Sequence, residues 1–347
     1  MSKRIYPGTA ALVLLIALVA TPLSAQVRGM PEVSPDAHVT QVVGVAKIKI
    51  AYHRPAVNDR DIFGALVPDG GVWRAGANEN TTITFSAPAK VQGQSIGAGT
   101  YGLHMIPEGN DWTIIFSNNS TSWGSFSYDQ AEDALRVTTT ASKAPFTERL
   151  TFDFENLDND SATVFLQWAE TKIPFEVEFD THGLALASMQ NQLRSRAGFN
   201  FLGFTSAANY LVQNDIEHEQ ALAWADQALG MQRNFATVFT KSRVLRMMGQ
   251  EAEAEAMMVE AVPLGNEGQV NFLGYQFMQA EDYDQAIEIF QKNVDDHPES
   301  WNVYDSLGEA YAAKGDTQRA RNLYSKALEM APDGQKPRIQ GILDNMS

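Results

Sequence analysis

The chain has 347 residues, of which 44% are hydrophobic and 20% are charged, a globular composition that argues against extensive disorder and a length that favours two domains. Its 42 acidic residues against 26 basic ones give a formal net charge of −16, which makes nucleic acid and anionic lipid headgroups unfavourable partners. The lack of cysteine excludes disulfide bonds, thiolate catalysis and zinc-thiolate sites.

The N-terminus has the three parts of a secretory signal peptide. Lys3 and Arg4 give a charged start, residues 10–20 are an unbroken apolar run, and small residues follow as a cleavage site. We therefore predict a signal peptide over residues 1–25, a linker over 26–36, and an exported protein of the periplasm or the extracellular space. The alternative is an uncleaved anchor, but the apolar run is shorter than the roughly 20 residues that span a bilayer. We predict no integral membrane segment after cleavage.

Residues 37–181 form the first predicted domain, in which apolar residues recur at every second position. Ile48, Ile50 and Tyr52, for example, alternate with polar or small residues, as in a strand with one buried face. Clusters of turn residues, such as those at 68–71, separate these runs. The pattern predicts an all-β antiparallel sandwich in preference to a barrel.

This β domain contains a dense group of polar and aromatic residues that would suit a ligand site. The candidates are Arg54, Arg60, Trp73, Arg74, Asn78, Glu79, His104 and Trp123. In one interpretation the three arginines converge on a cleft and bind a small anionic or sugar ligand, while a tryptophan stacks on its ring. In another, the group is a structural network: Arg74 pairs with Glu79, Trp73 anchors the core and Asn78 closes a turn. In a third, the domain only docks a partner or packs against the rest of the chain.

An enzymatic alternative uses the same residues. Glu79 and His104 as acid and base, with Arg74 as electrostatic stabiliser, would suit a hydrolase acting on glycans or peptides. The sequence contains no phosphate-binding Gly-x-x-x-x-Gly-Lys loop and no His-Glu-x-x-His motif. His53, His104 and Glu79 would supply a metal set, but their spacing does not favour one. We therefore predict no catalytic residue, no metal and no cofactor.

Five short motifs of the β domain are distinctive. They are Arg54-Pro55, Ile62-Phe63-Gly64-Ala65-Leu66-Val67-Pro68, Val72-Trp73-Arg74-Ala75-Gly76-Ala77-Asn78-Glu79, Gly99-Thr100-Tyr101-Gly102-Leu103 and Trp123-Gly124-Ser125. Over about residues 30–180 the sequence resembles the bacterial family called domain of unknown function 2911. The resemblance implies a secreted β domain and supplies no activity. Some members of that family carry appended tetratricopeptide repeats.

Residues 182–347 form the second predicted domain, in which the apolar period changes to the three or four residues of a helix. A unit of 34 residues recurs in it. The equivalent positions are Leu273 and Leu307, Gly274 and Gly308, Phe277 and Tyr311, Ala286 and Ala320, Phe290 and Tyr324, and Pro298 and Pro332. The pattern resembles the tetratricopeptide repeat, in which paired helices approach at small residues and a proline ends the second helix.

Two weaker units precede these, with Ala221 and Ala254 at the position of Ala286, and residues 336–345 are predicted as a C-terminal capping helix. The fold class is therefore an all-β antiparallel sandwich followed by an all-α tetratricopeptide-like solenoid. Because such arrays expose a continuous concave face, we expect the repeats to bind a protein or peptide. The acidic charge favours a neutral or basic partner.

Overall fold

The computed structural model describes residues 31–346, so the predicted signal peptide over residues 1–25 lies outside the described residues. The described chain divides into two compact units, a β unit over residues 31–184 and a helical unit over residues 185–346. None of the helices between residues 31 and 346 combines the length and the apolar character that a membrane span requires.

The β unit is built from antiparallel strands. In the described part of the chain they are β1 (Asp36–Val43), β2 (Ala46–His53), β3 (Thr82–Phe85), β4 (Ala89–Val91), β5 (Gln94–Ile96), β6 (Gly99–Glu108), β7 (Asp111–Ser117), β8 (Asp133–Thr140), β9 (Ser142–Glu155) and β10 (Ser161–Phe179). The larger sheet has the order β1-β2-β3-β6-β7-β8 and the smaller one the order β5-β4-β10-β9.

One hydrophobic core lies between the two sheets. Phe116 of β7 meets Phe175 of β10 with ring centroids 6.0 Å apart, and Phe85 of β3 meets Phe179 of β10 at 6.5 Å. Both sheets supply buried side chains to the same cluster. Neither sheet closes on itself. The predicted antiparallel sandwich is therefore confirmed.

Strand β2 shows the alternation that the sequence predicts, because Ile48 and Ile50 are buried while Lys47 and Lys49 are exposed. Strand β6 departs from it. All residues from Tyr101 to Met105 are buried, because a covering loop over residues 118–132 lies on the outer face of the larger sheet. A strand with one buried face was expected at this position, and the covering loop buries both faces.

Strand β9 forms one edge of the smaller sheet, where its neighbouring strand is β10. On its other side, Glu148 O accepts from Val57 N–H (2.8 Å) and Leu150 N–H donates to Pro55 O (3.0 Å). The pairing shifts register twice, between Gln167 and Ala169 and again between Ala169 and Thr171. Ala169 has the left-handed φ of 50°. These irregularities are β-bulges, which bend the strands and interrupt the ladder. Pro145, which lacks a backbone N–H, also lies on β9.

The rest of the chain is helical. The helices of the described chain are α1 (Thr181–Leu193), α2 (Phe201–Asn214), α3 (His218–Met231), α4 (Phe235–Met247), α5 (Glu251–Ala261), α6 (Glu267–Gln279), α7 (Tyr283–Asp296), α8 (Trp301–Lys314), α9 (Thr317–Met330) and α10 (Lys336–Asn345). From α2 to α9 they pack as consecutive pairs, and each pair also contacts the next, with α4 meeting α6 through Phe239 and Phe272. This is the arrangement of a tetratricopeptide array.

Small residues let the paired helices approach, as the repeat predicts. A Cβ atom on Gly274 of α6 would lie 2.3 Å from the ring of Phe290 on α7, so only glycine fits. Ala286 of α7 and Ala320 of α9 are fully buried at the equivalent position. The last helix, α10, is tied to the array by Arg338, whose Nη2 donates to Asp305 Oδ2 of α8 (2.8 Å).

Candidate functional site

The candidate residues of the β unit are arranged around the middle of β6. Trp73 lies on an extended segment that pairs with β6: its N–H donates to Met105 O (2.9 Å), and the Met105 N–H donates to Trp73 O (2.7 Å). Successive residues of paired strands point to opposite faces of a sheet. Trp73 and Met105 pack in the core, so Arg74 and His104 are placed on the outer face.

The chain then turns through two residues with left-handed φ, Ala75 at 51° and Asn78 at 55°. The turn is braced by Trp73, whose Nε1–H donates to Gly76 O (3.2 Å), and by Asn78, whose Nδ2 donates to Ser34 O (3.3 Å). Asparagine is among the residues that tolerate this conformation. Trp73 and Asn78 therefore have the positions that the structural interpretation assigns to them.

Two of the three candidate arginines hold backbone. Arg54 donates from Nε to Leu150 O (3.0 Å) and from Nη2 to Thr151 Oγ1 (2.5 Å), which ties the segment after β2 to β9. Arg60 donates from Nε to Val57 O (3.0 Å) within its own loop. The guanidinium groups of Arg54 and Arg60 therefore hold loops of the β unit in place.

A cleft of about 350 Å³ lies beside these loops. Its lining residues are Val33, Ser34, Pro55, Ala56, Asn58, Arg60, Leu66, Val67, Trp73, Arg74, Gly76, Ala77 and Trp168. Three of the eight candidates, Arg60, Trp73 and Arg74, share this lining, whereas Arg54 does not. The three arginines therefore do not converge on this cleft.

Glu79 has a different partner from the one expected. Its side chain is 65% exposed, and its Oε2 lies 3.3 Å from Nε2 of His53, which also lies 3.3 Å from Glu32. Within residues 31–346, Arg74 has no carboxylate at ion-pair distance, so the expected Arg74–Glu79 pair is not formed. Burial lowers the pKa of Arg74, and the more distant charge of Glu79 opposes that shift.

His104 is the centre of a polar group that we call the outer-face cluster: His104, Ser125, Tyr128, Asp133 and Arg136. His104 Nδ1 lies 2.9 Å from Ser125 Oγ, and its ring lies 5.4 Å from that of Tyr128. Tyr128 Oη donates to Asp133 Oδ2 (2.7 Å), and Arg136 Nε donates to the same oxygen (2.5 Å). These bonds fasten the covering loop to the sheet.

The environment of His104 suits a structural role. The residue is 3% exposed, and burial lowers its pKa to about 4, although the negative charge of Asp133 opposes the shift. Its imidazole is therefore neutral near pH 7. His104 and Glu79 have separate partners and neither lines the cleft that Arg74 lines. The geometry gives no support to the hydrolase hypothesis.

Arg74 and Trp123 do meet, on the outer face. The guanidinium carbon of Arg74 lies 5.8 Å from the ring centroid of Trp123, and Trp123 stacks on Phe126 at 5.9 Å with an interplanar angle of 14°. Arg74 Nε is buried without a hydrogen-bond partner in the described structure. We call Arg74, Trp123 and Phe126 the arginine–aromatic site. It joins two of the eight candidates, Arg74 and Trp123, to Phe126, which no sequence motif indicated.

Sequence reasoning also missed Ser125, Tyr128, Asp133 and Arg136. Their spacing carries no catalytic or metal-binding signature. The register of β6, β7 and β8 brings Asp133 and Arg136 to the region of His104, and the covering loop brings Ser125 and Tyr128. The available signal was Trp123-Gly124-Ser125, one of the distinctive motifs. No group of three or more side chains suited to hold a metal ion occurs in the part of the chain that the structure covers.

In the helical unit, the first helices of successive pairs present a face with aromatic and acidic groups. Phe239 of α4 meets Phe272 of α6 edge to face at 5.5 Å, and Phe272 is 46% exposed. Tyr275 of α6 donates from Oη to Glu309 Oε2 of α8 (2.7 Å). Burial and the nearby Glu309 raise the pKa of Tyr275 to about 12, so it remains a hydrogen-bond donor. We call Phe239, Phe272, Tyr275 and Glu309 the first-helix face.

Comparison with known families agrees with this architecture. Residues 34–177 match the family described as protein of unknown function (DUF2911), and residues 269–333 match the tetratricopeptide repeat. Both resemblances deduced from sequence motifs are thereby confirmed. No curated protein matches the chain.

Several solved structures are similar to part of the chain. MamA from Desulfovibrio magneticus RS-1, residues 41 to the end, is 15% identical, with 41% of this chain and 83% of that chain covered and a TM-score of 0.30. YrrB, described as a TPR protein with an unusual peptide-binding site, is 21% identical, with coverages of 44% and 78% and a TM-score of 0.31. The C-terminal part of a TPR repeat-containing protein from Cytophaga hutchinsonii is 16% identical, with coverages of 47% and 67% and a TM-score of 0.35. Such distant similarity carries no argument about function.

Proposed function

We propose that the chain is an interaction protein whose helical repeats bind a protein or peptide. The observation that carries this proposal is the tetratricopeptide pairing of helices together with an exposed aromatic side chain, Phe272, on the first-helix face. Stacked repeats expose an extended surface, and aromatic residues are common anchors of protein interfaces. Glu309, which accepts a hydrogen bond from Tyr275 on the same face, and the acidic charge of the whole chain favour a neutral or basic partner.

The test is a selection of binding peptides from a randomised peptide library on the full chain. We expect the selected peptides to be neutral or basic and to carry apolar anchors. Phe272→Ala is expected to weaken their binding about tenfold or more, as loss of a buried aromatic anchor does. Phe199→Ala is the matched control, because it removes an exposed phenylalanine ring of the same unit that lies outside the paired helices.

Two results would contradict the proposal. One is a selection that enriches no peptide over the bare support. The other is a set of enriched peptides whose affinity falls equally in the Phe272 and Phe199 variants, because the first-helix face would then have no special role.

We further propose that the β unit is a small-ligand module, and that the chain is exported. The ligand role is supported by the unpaired guanidinium of Arg74 next to exposed aromatic rings. Export is supported only by the N-terminal sequence. N-terminal sequencing of the protein recovered outside the inner membrane tests it: a chain beginning at Gln26 is expected, and an intact Met1 in the cytoplasm would contradict it.

A further inference from the structure

Arg74 is a positive charge without a counter-ion. Its Nε is buried and has no hydrogen-bond partner, and no carboxylate between residues 31 and 346 lies at ion-pair distance from its guanidinium. Desolvating a guanidinium is costly unless an anion or hydrogen-bond acceptors compensate it. Glu79, the acid whose charge it feels, is paired with His53 instead. The chain therefore leaves one partly buried cation unpaired although its acidic residues greatly outnumber its basic ones.

Exposed aromatic rings lie next to this cation. Trp123 is 61% exposed and Phe126 is 84% exposed, and the two rings are stacked. Gly124, between them, has φ of 71°, and a Cβ there would lie 3.0 Å from the Phe126 ring and 3.2 Å from Arg74 Nη1. Glycine at this position lets the covering loop close over the guanidinium with both rings at the surface.

The outer-face cluster supports the arginine–aromatic site. Ser125, the next residue of the loop, contacts the buried His104, and the further bonds of the outer-face cluster anchor the loop at Tyr128. Side chains whose supporting contacts are fixed in advance lose less conformational entropy when a ligand binds. The rings of Trp123 and Phe126 are thus exposed, while hydrogen bonds of the outer-face cluster hold the loop that carries them.

From these observations we infer that Arg74, Trp123 and Phe126 bind a small carboxylate that carries a planar ring. The guanidinium fork matches the two oxygens of a carboxylate, and an aromatic surface beside it suits a ring in the same ligand. The inference rests on the proposed ligand role of the β unit and specifies the chemistry of that ligand. No covalent step is involved.

The experiment compares two probes on the unaltered full chain by ligand-observed NMR titration: benzoate, and benzyl alcohol, which keeps the ring and lacks the charge. We expect benzoate to bind about tenfold tighter or more, as hydrogen bonds to a charged partner provide. Arg74→Gln is expected to abolish that preference and Arg74→Lys to retain part of it. Lys143→Gln is the control, since it removes the same charge from a highly exposed side chain of the β unit.

The outcomes separate the carboxylate inference from the proposed ligand role of the β unit. Equal binding of the two probes overturns the carboxylate inference and leaves the ligand role of the β unit standing. Binding of neither probe, nor of galacturonate and galactose tested in parallel, overturns both. A folded Arg74→Gln variant that keeps the benzoate preference also overturns the inference, and the comparison of probes on the unaltered chain needs no variant to fold.

Discussion

The helical repeats and the outer face of the β unit bring their side chains together in different ways. In the repeats, Gly274 and Phe290 belong to one pair of helices, and Gly308 faces Tyr324 at the equivalent positions one repeat later. On the outer face, Arg74, His104 and Trp123 come from three separate segments, and strand pairing together with the covering loop brings them together. A packing contact of the first kind is encoded by a fixed spacing in the sequence. A contact of the second kind is set by sheet register, which no short spacing reveals.

The largest effect is expected when a packing residue of the repeats is removed. Phe290 is fully buried, and Phe290→Ala is expected to lower the free energy of unfolding of the helical unit by about 3–5 kcal/mol, because it leaves a cavity between paired helices. Phe272→Ala removes a half-exposed ring and should cost about 1 kcal/mol or less. Urea unfolding followed by helical circular dichroism measures both, and equal losses would show that the repeat pattern does not define the core.

The second test addresses the outer face through pH. The folded protein favours neutral His104, with its pKa lowered to about 4, whereas the unfolded chain binds a proton near pH 6.5. Stability is therefore lost as the pH falls from 6.5 towards 4, by an amount on the order of 3 kcal/mol from this residue. The contribution is complete above pH 6.5, and below pH 4 both states are protonated.

His104→Gln isolates this contribution, because carboxylates titrate over the same range in both proteins. We expect the variant to lose less stability than the unaltered chain between pH 6.5 and pH 4, measured by urea unfolding followed by tryptophan fluorescence. Parallel pH profiles would show that His104 is not desolvated in solution and that the covering loop opens freely.

The smallest effects are expected at two glycines that occupy equivalent positions of successive repeats. A Cβ on Gly274 would lie 2.3 Å from the Phe290 ring, whereas a Cβ on Gly308 meets its nearest atoms at 3.4 Å. Gly274→Ala is expected to destabilise the helical unit by about 1–3 kcal/mol through overpacking. Gly308→Ala is expected to stabilise it by up to about 1 kcal/mol, because alanine favours helix. Thermal unfolding of the two variants gives the signs, and a loss of equal size in both would contradict the difference in packing.

The sequence predicts the fold well because both fold signals are local. The alternation around Ile48 and Ile50 lies within one strand, and the recurrence from Leu273 to Leu307 is a fixed spacing of successive repeats. The structure confirms the sandwich and the paired helices. His104 shows where this reasoning fails. Its burial depends on the covering loop, which begins after the whole of β7. The alternation of apolar residues in β6 does not indicate that this loop covers His104.

The arginines show the same limit at the candidate site. All three have the same side chain and lie close in sequence, yet Arg54 is bonded to β9, Arg60 braces its own loop and Arg74 is unpaired. Residue type and density in the sequence indicated a polar group but not the role of each arginine. Only the structure distinguishes Arg54 and Arg60, which bond to backbone carbonyl groups, from Arg74, whose buried Nε has no partner in the described structure.

The bulged edge strand β9 has a consequence for the behaviour of the protein at high concentration. A long edge strand is a template on which another copy of a chain can add a strand, which starts aggregation. Pro145 removes one donor from this template, Lys143 places an exposed charge on it, and the irregularity at Ala169 bends the pairing beside it. The segment after β2 also occupies backbone groups of Glu148 and Leu150, so these features together disfavour strand addition along β9.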